Sequence, residues 1–296
     1  MRYFVAVVDH QGFNRAAEHL FIAQPSLSQS IASLERELGV ALFHRVGRGV
    51  VLSDAGEQLI GPARQVIRDM EAAKSTIDAI KGITSGRVDI ITMPSPGIEP
   101  LSTIMGKFAE AHPAITMNID AAFVPDEVLD AVRSGASEIG LLGAPAQTRA
   151  ADLSVIPIEV QELVLITAPD GPFTGRDFIT PVDLAGHRLI VSQRGSLMRQ
   201  LVDDVLSSGI PARIVAEVAH RTSILPLILD GIGDAVLPAG WTKLAHRAGA
   251  VSYRIQPTSH LRIAAVTRQR PLSPSAAAFL ETAIQYATAA GKRSGD

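Results

Sequence analysis

Near the start of the chain, apolar residues fall into short helical segments separated by tight turns. Phe13 to Leu20 reads as a helix in which the small Ala16 and Ala17 let a neighbouring helix approach closely. After Phe21, Ile22 and Ala23, a second helix is predicted from about Pro25 to Leu38. Pro25 suits a first helical turn, where its missing N–H costs nothing, and Gly39 suits the residue just past a helix end. Leu27, Ile31, Leu34 and Leu38 recur at helical spacing and share one buried face. The other side near the N-terminus then presents Pro25 and Gln29, flanked by Ser26 and Ser28.

Two helices joined by a three-residue turn, the second polar at its exposed N-terminal end, form the helix-turn-helix layout. Val40 to Arg45 and Val50 to Leu52 then flank Gly47-Arg48-Gly49, which predicts a β-hairpin and, beside such a helix pair, a wing. Arg45 and Arg48 stand where a wing meets phosphates. Ser53 is a good N-cap for a long helix reaching Lys81-Gly82. Within it Leu59, Ala63, Val66, Met70, Ala73, Ile77 and Ile80 form a heptad seam, and Pro62 is expected to kink the helix early.

Beyond the linker Ile83 to Gly86 the pattern changes to strand-like runs alternating with helix-like ones. Strands are predicted at Val88–Thr92, Ile115–Ile119, Ile139–Leu142, Leu163–Ala168, Leu189–Ser192, Arg213–Glu217, Ala235–Leu237 and Leu261–Thr267. Helices are predicted at Leu101–Ala111, Asp126–Ser134, Leu197–Ser207, Ser223–Asp230 and Ser275–Ala289. Such alternation predicts βαβ units and a largely parallel sheet. The domains expected are therefore 1–52, a winged helix-turn-helix; 53–82, a dimerising helix; and 86–290, an α/β domain of two lobes.

Composition narrows the function. At 47% hydrophobic and 19% charged residues, a chain of 296 residues folds with real cores. With no cysteine it has neither disulfides nor thiolate metal sites, which fits a cytoplasmic chain. No apolar run is long enough to span a bilayer, so no membrane partner is expected. The net charge is −3, and residues 1–60 hold five Lys and Arg against six Asp and Glu, so bulk charge gives no argument for nucleic acid. Hydrolase, metalloprotease, phosphate-loop and dinucleotide signatures are all absent, which speaks against an enzyme, and no cofactor is expected.

The stretches Ala16-Ala17-Glu18-His19-Leu20, Gln24-Pro25-Ser26-Leu27-Ser28, Leu34-Glu35-Arg36-Glu37-Leu38-Gly39, Leu42-Phe43-His44-Arg45 and Leu52-Ser53-Asp54-Ala55-Gly56 resemble the N-terminal signature of LysR-type transcriptional regulators. The resemblance implies an α+β multidomain protein: a winged helix-turn-helix, a long dimerisation helix, and an effector domain similar to type 2 periplasmic binding proteins. It further implies a homodimer or homotetramer that binds double-stranded operator DNA, with a small-molecule effector between the lobes and RNA polymerase as a further partner. Its DNA-facing positions fall here on Gln24, Pro25, Ser26, Ser28 and Gln29, with Arg45 on the wing. Ala23 replaces the serine usual there and removes a cap worth about 1 kcal/mol.

Either Gln24 or Gln29 has the amide geometry to read the N6 and N7 edge of adenine in the major groove. For the effector, Pro94-Ser95-Pro96-Gly97 and Ser192-Gln193-Arg194-Gly195-Ser196 each follow a strand and precede a helix, where free N–H groups favour an anion. The resemblance points to the same loops, and the candidate effector residues are Ser95, Gly143, Ser192, Gln193, Thr222 and Ser223. An acidic effector is expected, with Arg194 as the one full positive charge nearby. The competing reading is a ligand-binding protein whose DNA binding is weak or lost.

Overall fold

Phe4, Ala6 and Val7 line one side of a first helix, α1 (Arg2–Asp9), and bury it against α2 (Phe13–His19) and α3 (Gln24–Leu38). The computed structural model describes residues 1–46, 49–80, 86–169, 171–194, 197–207 and 211–293. Ala16, Ala17, Leu27, Ile31 and Leu42 complete this core, which the small side chains of α2 allow to pack tightly. Gly39 at φ 72° ends α3, and the hairpin β1 (Phe43–Val46) and β2 (Gly49–Leu52) follows. The Phe43 ring meets the Phe13 edge at a centroid distance of 5.6 Å and fixes the hairpin to the helices.

Ser53 caps α4 (Asp54–Ile80): its Oγ accepts the Gly56 N–H at 3.1 Å and donates to the Ala41 carbonyl at 2.6 Å. A Cβ on Gly56 would lie 2.3 Å from the Leu42 carbonyl oxygen, so glycine lets the helix approach the hairpin. The predicted seam divides. Leu59 and Ala63 turn into the N-terminal core beside Ile60, whereas Val66 and Met70 stay 47% and 63% exposed. The side chains of Ile77 and Ile80 lie outside the described residues.

The remainder runs β3 (Gly86–Thr92), a single turn α5 (Pro94–Pro96), α6 (Ser102–Ala111), β4 (Ile115–Ala121), α7 (Pro125–Arg133), β5 (Ile139–Ala144), β6 (Leu153–Thr167), β7 (Phe178–Ile179), β8 (Arg188–Ser192), α8 (Leu197–Ser207), β9 (Arg213–Val218), α9 (Ile224–Leu229), β10 (Ala235–Pro238), α10 (Thr242–Arg247), β11 (Val251–Ile255), β12 (His260–Arg268) and α11 (Pro274–Arg293). The expected largely parallel sheet is corrected to a mixed one. β3 pairs in parallel with β4 and β5, but β12, β10 and β11 all run antiparallel to β6.

The reason is the length of β6, whose 15 residues serve two lobes. Leu153 to Glu162 pair with β12 in the first lobe, and Leu163 to Thr167 pair with β10 and β11 in the second. The parallel pair β8–β9 belongs to the second lobe through the bridge between Leu189 and Asp234. The linker helix joins the first lobe where Arg68 of α4 donates to the Gly135 carbonyl, just past α7.

Candidate functional site

The candidate DNA surface is the N-terminal half of α3. Leu27 and Ile31 are buried by the helix period, which turns Gln24, Pro25, Ser26 and Gln29 outward and leaves Ser28 half-buried. Gln24 Nε2 donates to Ser28 Oγ at 2.8 Å, so one amide is already engaged. The side-chain amide of Gln29 has no hydrogen-bond partner among the described residues. The N-cap residue Ala23 supplies no side-chain bond. The side chain of Arg45 and the whole of Arg48 lie outside the described residues.

Glu35, a residue not singled out by sequence, sets the orientation of α3 to the wing. Its Oε1 accepts the N–H of Leu42 at 2.7 Å and of Phe43 at 3.3 Å. Those two donors precede and open β1, where no strand partner serves Leu42.

In the C-terminal domain, Ser95 from the first lobe and Ser192 from the second are brought together by Arg221. Arg221 Nη1 donates to Ser95 Oγ at 3.0 Å and its Nε to Ser192 Oγ at 3.3 Å. Ser95 also accepts from the indole Nε1 of Trp241 at 3.4 Å. Ser95, Ser192 and Arg221 are only 1%, 5% and 7% exposed. Burial alone pushes Arg221 down to about 10, and no carboxylate pairs with it among the described residues. Arg199 of α8, also buried, ion-pairs with Asp203 and Glu217, each at 2.7 Å, and those bonds raise it. One buried arginine of this lobe is therefore neutralised and the other is not.

This corrects the source of positive charge. Arg194 is exposed, and its backbone N–H donates to the Glu217 carboxylate at 3.1 Å, a neighbour that repels an anion. The dipole argument at Ser95 is also corrected, because α5 is one turn of three residues. Gln193 is exposed with its N–H on the Val218 carbonyl, and Thr222 and Ser223 are exposed in the turn after Arg221. Gly143 is buried and donates its N–H to Met93 Sδ at 3.4 Å, with no hydrogen bond to Arg221 among the described residues. Arg221 and Trp241 carried a readable signal: one basic residue in a loop after a strand, and the single tryptophan of the chain.

A cavity of about 680 Å³ lies apart from this cluster, lined by Pro145, Thr148, Pro157, Glu159 and Arg262 among others. Its carboxylate is already taken: Glu159 accepts from Tyr286 Oη at 2.7 Å and from Gln161. Space is available there, whereas Arg221 is a buried cation between the lobes with no carboxylate partner among the described residues.

Among the described residues no helix is long and apolar enough to cross a membrane, and no group of three or more His, Asp and Glu is placed to hold a metal. Residues 1–57 match the family model "Bacterial regulatory helix-turn-helix protein, lysR family", and residues 81–288 match "LysR substrate binding domain". The RuBisCO operon transcriptional regulator of Allochromatium vinosum is 25% identical over 291 residues, covering 97% of this chain and 95% of its own. OxyR of Escherichia coli is 27% identical over 240 residues, covering 81% and 78%. Among solved structures, a full-length OxyR variant from Pseudomonas aeruginosa superposes with a TM-score of 0.71 at 22% identity, covering 97% of this chain and 92% of that one. Full-length CbnR complexed with its target DNA superposes with a TM-score of 0.64 at 22% identity, covering 96% and 97%. The chain belongs to the LysR family and is a DNA-binding transcriptional regulator controlled by an effector.

Proposed function

We propose that the chain, acting as a homodimer or homotetramer, reads operator DNA through Gln29 and the N-terminal half of α3, and answers to a small effector carrying a carboxylate. The observation that carries the effector class is Arg221: a buried guanidinium that, among the described residues, is held by hydroxyls alone at the meeting point of two lobes. A buried charge without a counter-charge is costly, and an anionic ligand removes that cost on binding. A guanidinium matches one carboxylate in charge and offers it paired N–H donors. Because the chain has no cysteine, its sensing does not run through a thiol, whatever the relatives do.

A thermal-shift screen of small carboxylates, amines and neutral metabolites on the full-length protein tests the effector class. Stabilisation by a subset of carboxylates, lost in Arg221→Gln, is the expected result. A hit that is cationic, or one whose effect survives Arg221→Gln, would overturn it. The DNA half is tested by selection of binding sites from random duplexes, where failure to enrich any sequence would favour the ligand-binding reading without DNA recognition.

A further inference from the structure

We infer that Ser95, Arg221 and Trp241 form a latch that holds the two lobes together without effector, and that the effector opens it by taking the guanidinium away from Ser95. The inference rests on the acidic-effector reading for its second half only. Ser95 stands on α5, after β3 of the first lobe, whereas Arg221 follows β9 and Trp241 follows β10 of the second. Both donors on the Ser95 hydroxyl oxygen, at 3.0 and 3.4 Å, therefore cross from one lobe to the other. The bond from Arg221 to Ser192 is different, because both residues belong to the second lobe.

All four residues are buried, so a ligand reaches Arg221 only by parting these contacts. A carboxylate is a stronger acceptor for a guanidinium than a serine hydroxyl, so the exchange favours the open arrangement once the anion arrives. Ser95 loses its charged donor in that step and keeps at most the indole. Ligand binding and separation of the lobes then become one event, which is what a control device needs: differential affinity for two arrangements.

The latch carries its own reporter, since Trp241 is the single tryptophan of the chain. The test uses tryptophan emission and acrylamide quenching on the full-length protein without effector. Losing a hydrogen bond from a charged donor shifts a closed-to-open ratio roughly 10- to 100-fold. Ser95→Ala is therefore expected to move Trp241 emission to the red and to raise quenching. Ser192→Ala, which removes a bond inside one lobe, is expected to leave both near the wild-type values. Wild-type behaviour in Ser95→Ala overturns the latch, and so does equal exposure in both variants, which is general loosening.

A second arm titrates acetate, benzoate and chloride at matched ionic strength into the wild type. A saturable red shift with a carboxylate and none with chloride supports the exchange, provided Arg221→Gln abolishes it. If Ser95→Ala opens the latch but no carboxylate moves the emission, the exchange step and the acidic-effector reading fail together while the latch itself stands.

Discussion

The carboxylate of Glu35 accepts the backbone N–H of Leu42 at 2.7 Å, tying the C-terminal half of the recognition helix to the base of the wing. The same oxygen takes Phe43 N–H at 3.3 Å. A carboxylate that holds two backbone donors at the base of the hairpin positions the wing against the helix. Glu35→Ala should destabilise the N-terminal domain by about 1–3 kcal/mol, measured by denaturant unfolding. It should also weaken binding to cognate and random duplexes alike. Glu35→Gln keeps an acceptor and should fall between the two; if it behaves like the alanine variant, the anchoring role is wrong.

Gln24 and Gln29 make a contrasting pair on the exposed side of α3. The Gln24 amide is already on Ser28, while the side-chain amide of Gln29 has no partner among the described residues. Gln29→Ala is expected to cost about 1–3 kcal/mol on the cognate site and to relax preference at one base pair. Gln24→Ala should have the smaller effect on base preference. Unchanged preference in Gln29→Ala after a binding-site selection would remove the base-reading role.

The division between legible and hidden parts of this protein follows the range of the forces involved. Local periodicity placed α3, α4, β3, β8 and β9, because burial of one face is written in the order of residues along one segment. The mixed sheet was not legible: β6 runs for 15 residues through both lobes, and only its last third, from Leu163, was predicted as a strand. Ser95 and Ser192 were readable as loop residues after strands, yet nothing local told that a residue 29 positions beyond Ser192 would bridge them. For Arg221 the sequence offers only its place, one basic residue in a loop after a strand; tertiary surroundings decide whether such an arginine is solvated, paired like Arg199, or buried against hydroxyls with no carboxylate among the described residues. Glu35 likewise stands in the sequence only as part of the family signature, and its role depends on the hairpin that packs back onto it.

The linker helix supplies the prediction about assembly. Leu59 and Ala63 are used up inside the N-terminal core, so the surface left for a partner begins at Val66 and Met70. Two exposed apolar side chains one helical turn apart are the beginning of a seam that a second copy of the chain would cover. Met70→Glu should shift the protein from dimer or tetramer toward monomer in sedimentation velocity at micromolar concentration. A wild type that is monomeric there contradicts the assignment outright.

Arg221 makes a prediction in which function and stability oppose each other. Burial holds its value at about 10, below the ordinary arginine value that the unfolded chain has. For a base lowered on folding, the cost is present at every pH below the folded value and is relieved only as the pH rises through it. At neutral pH the effector-free protein therefore carries the penalty of a desolvated cation, offset in part by the hydroxyls of Ser95 and Ser192. Arg221→Met fills similar volume without the charge and should leave the effector-free protein as stable as the wild type, or more stable by up to about 4 kcal/mol. The same variant should show no stabilisation by carboxylates that stabilise the wild type. Denaturant unfolding at neutral pH, with and without the best ligand of the screen, measures both quantities. Marked destabilisation of Arg221→Met without effector would mean that the charge of Arg221 is already compensated in the folded protein, and that the site is not waiting for an anion.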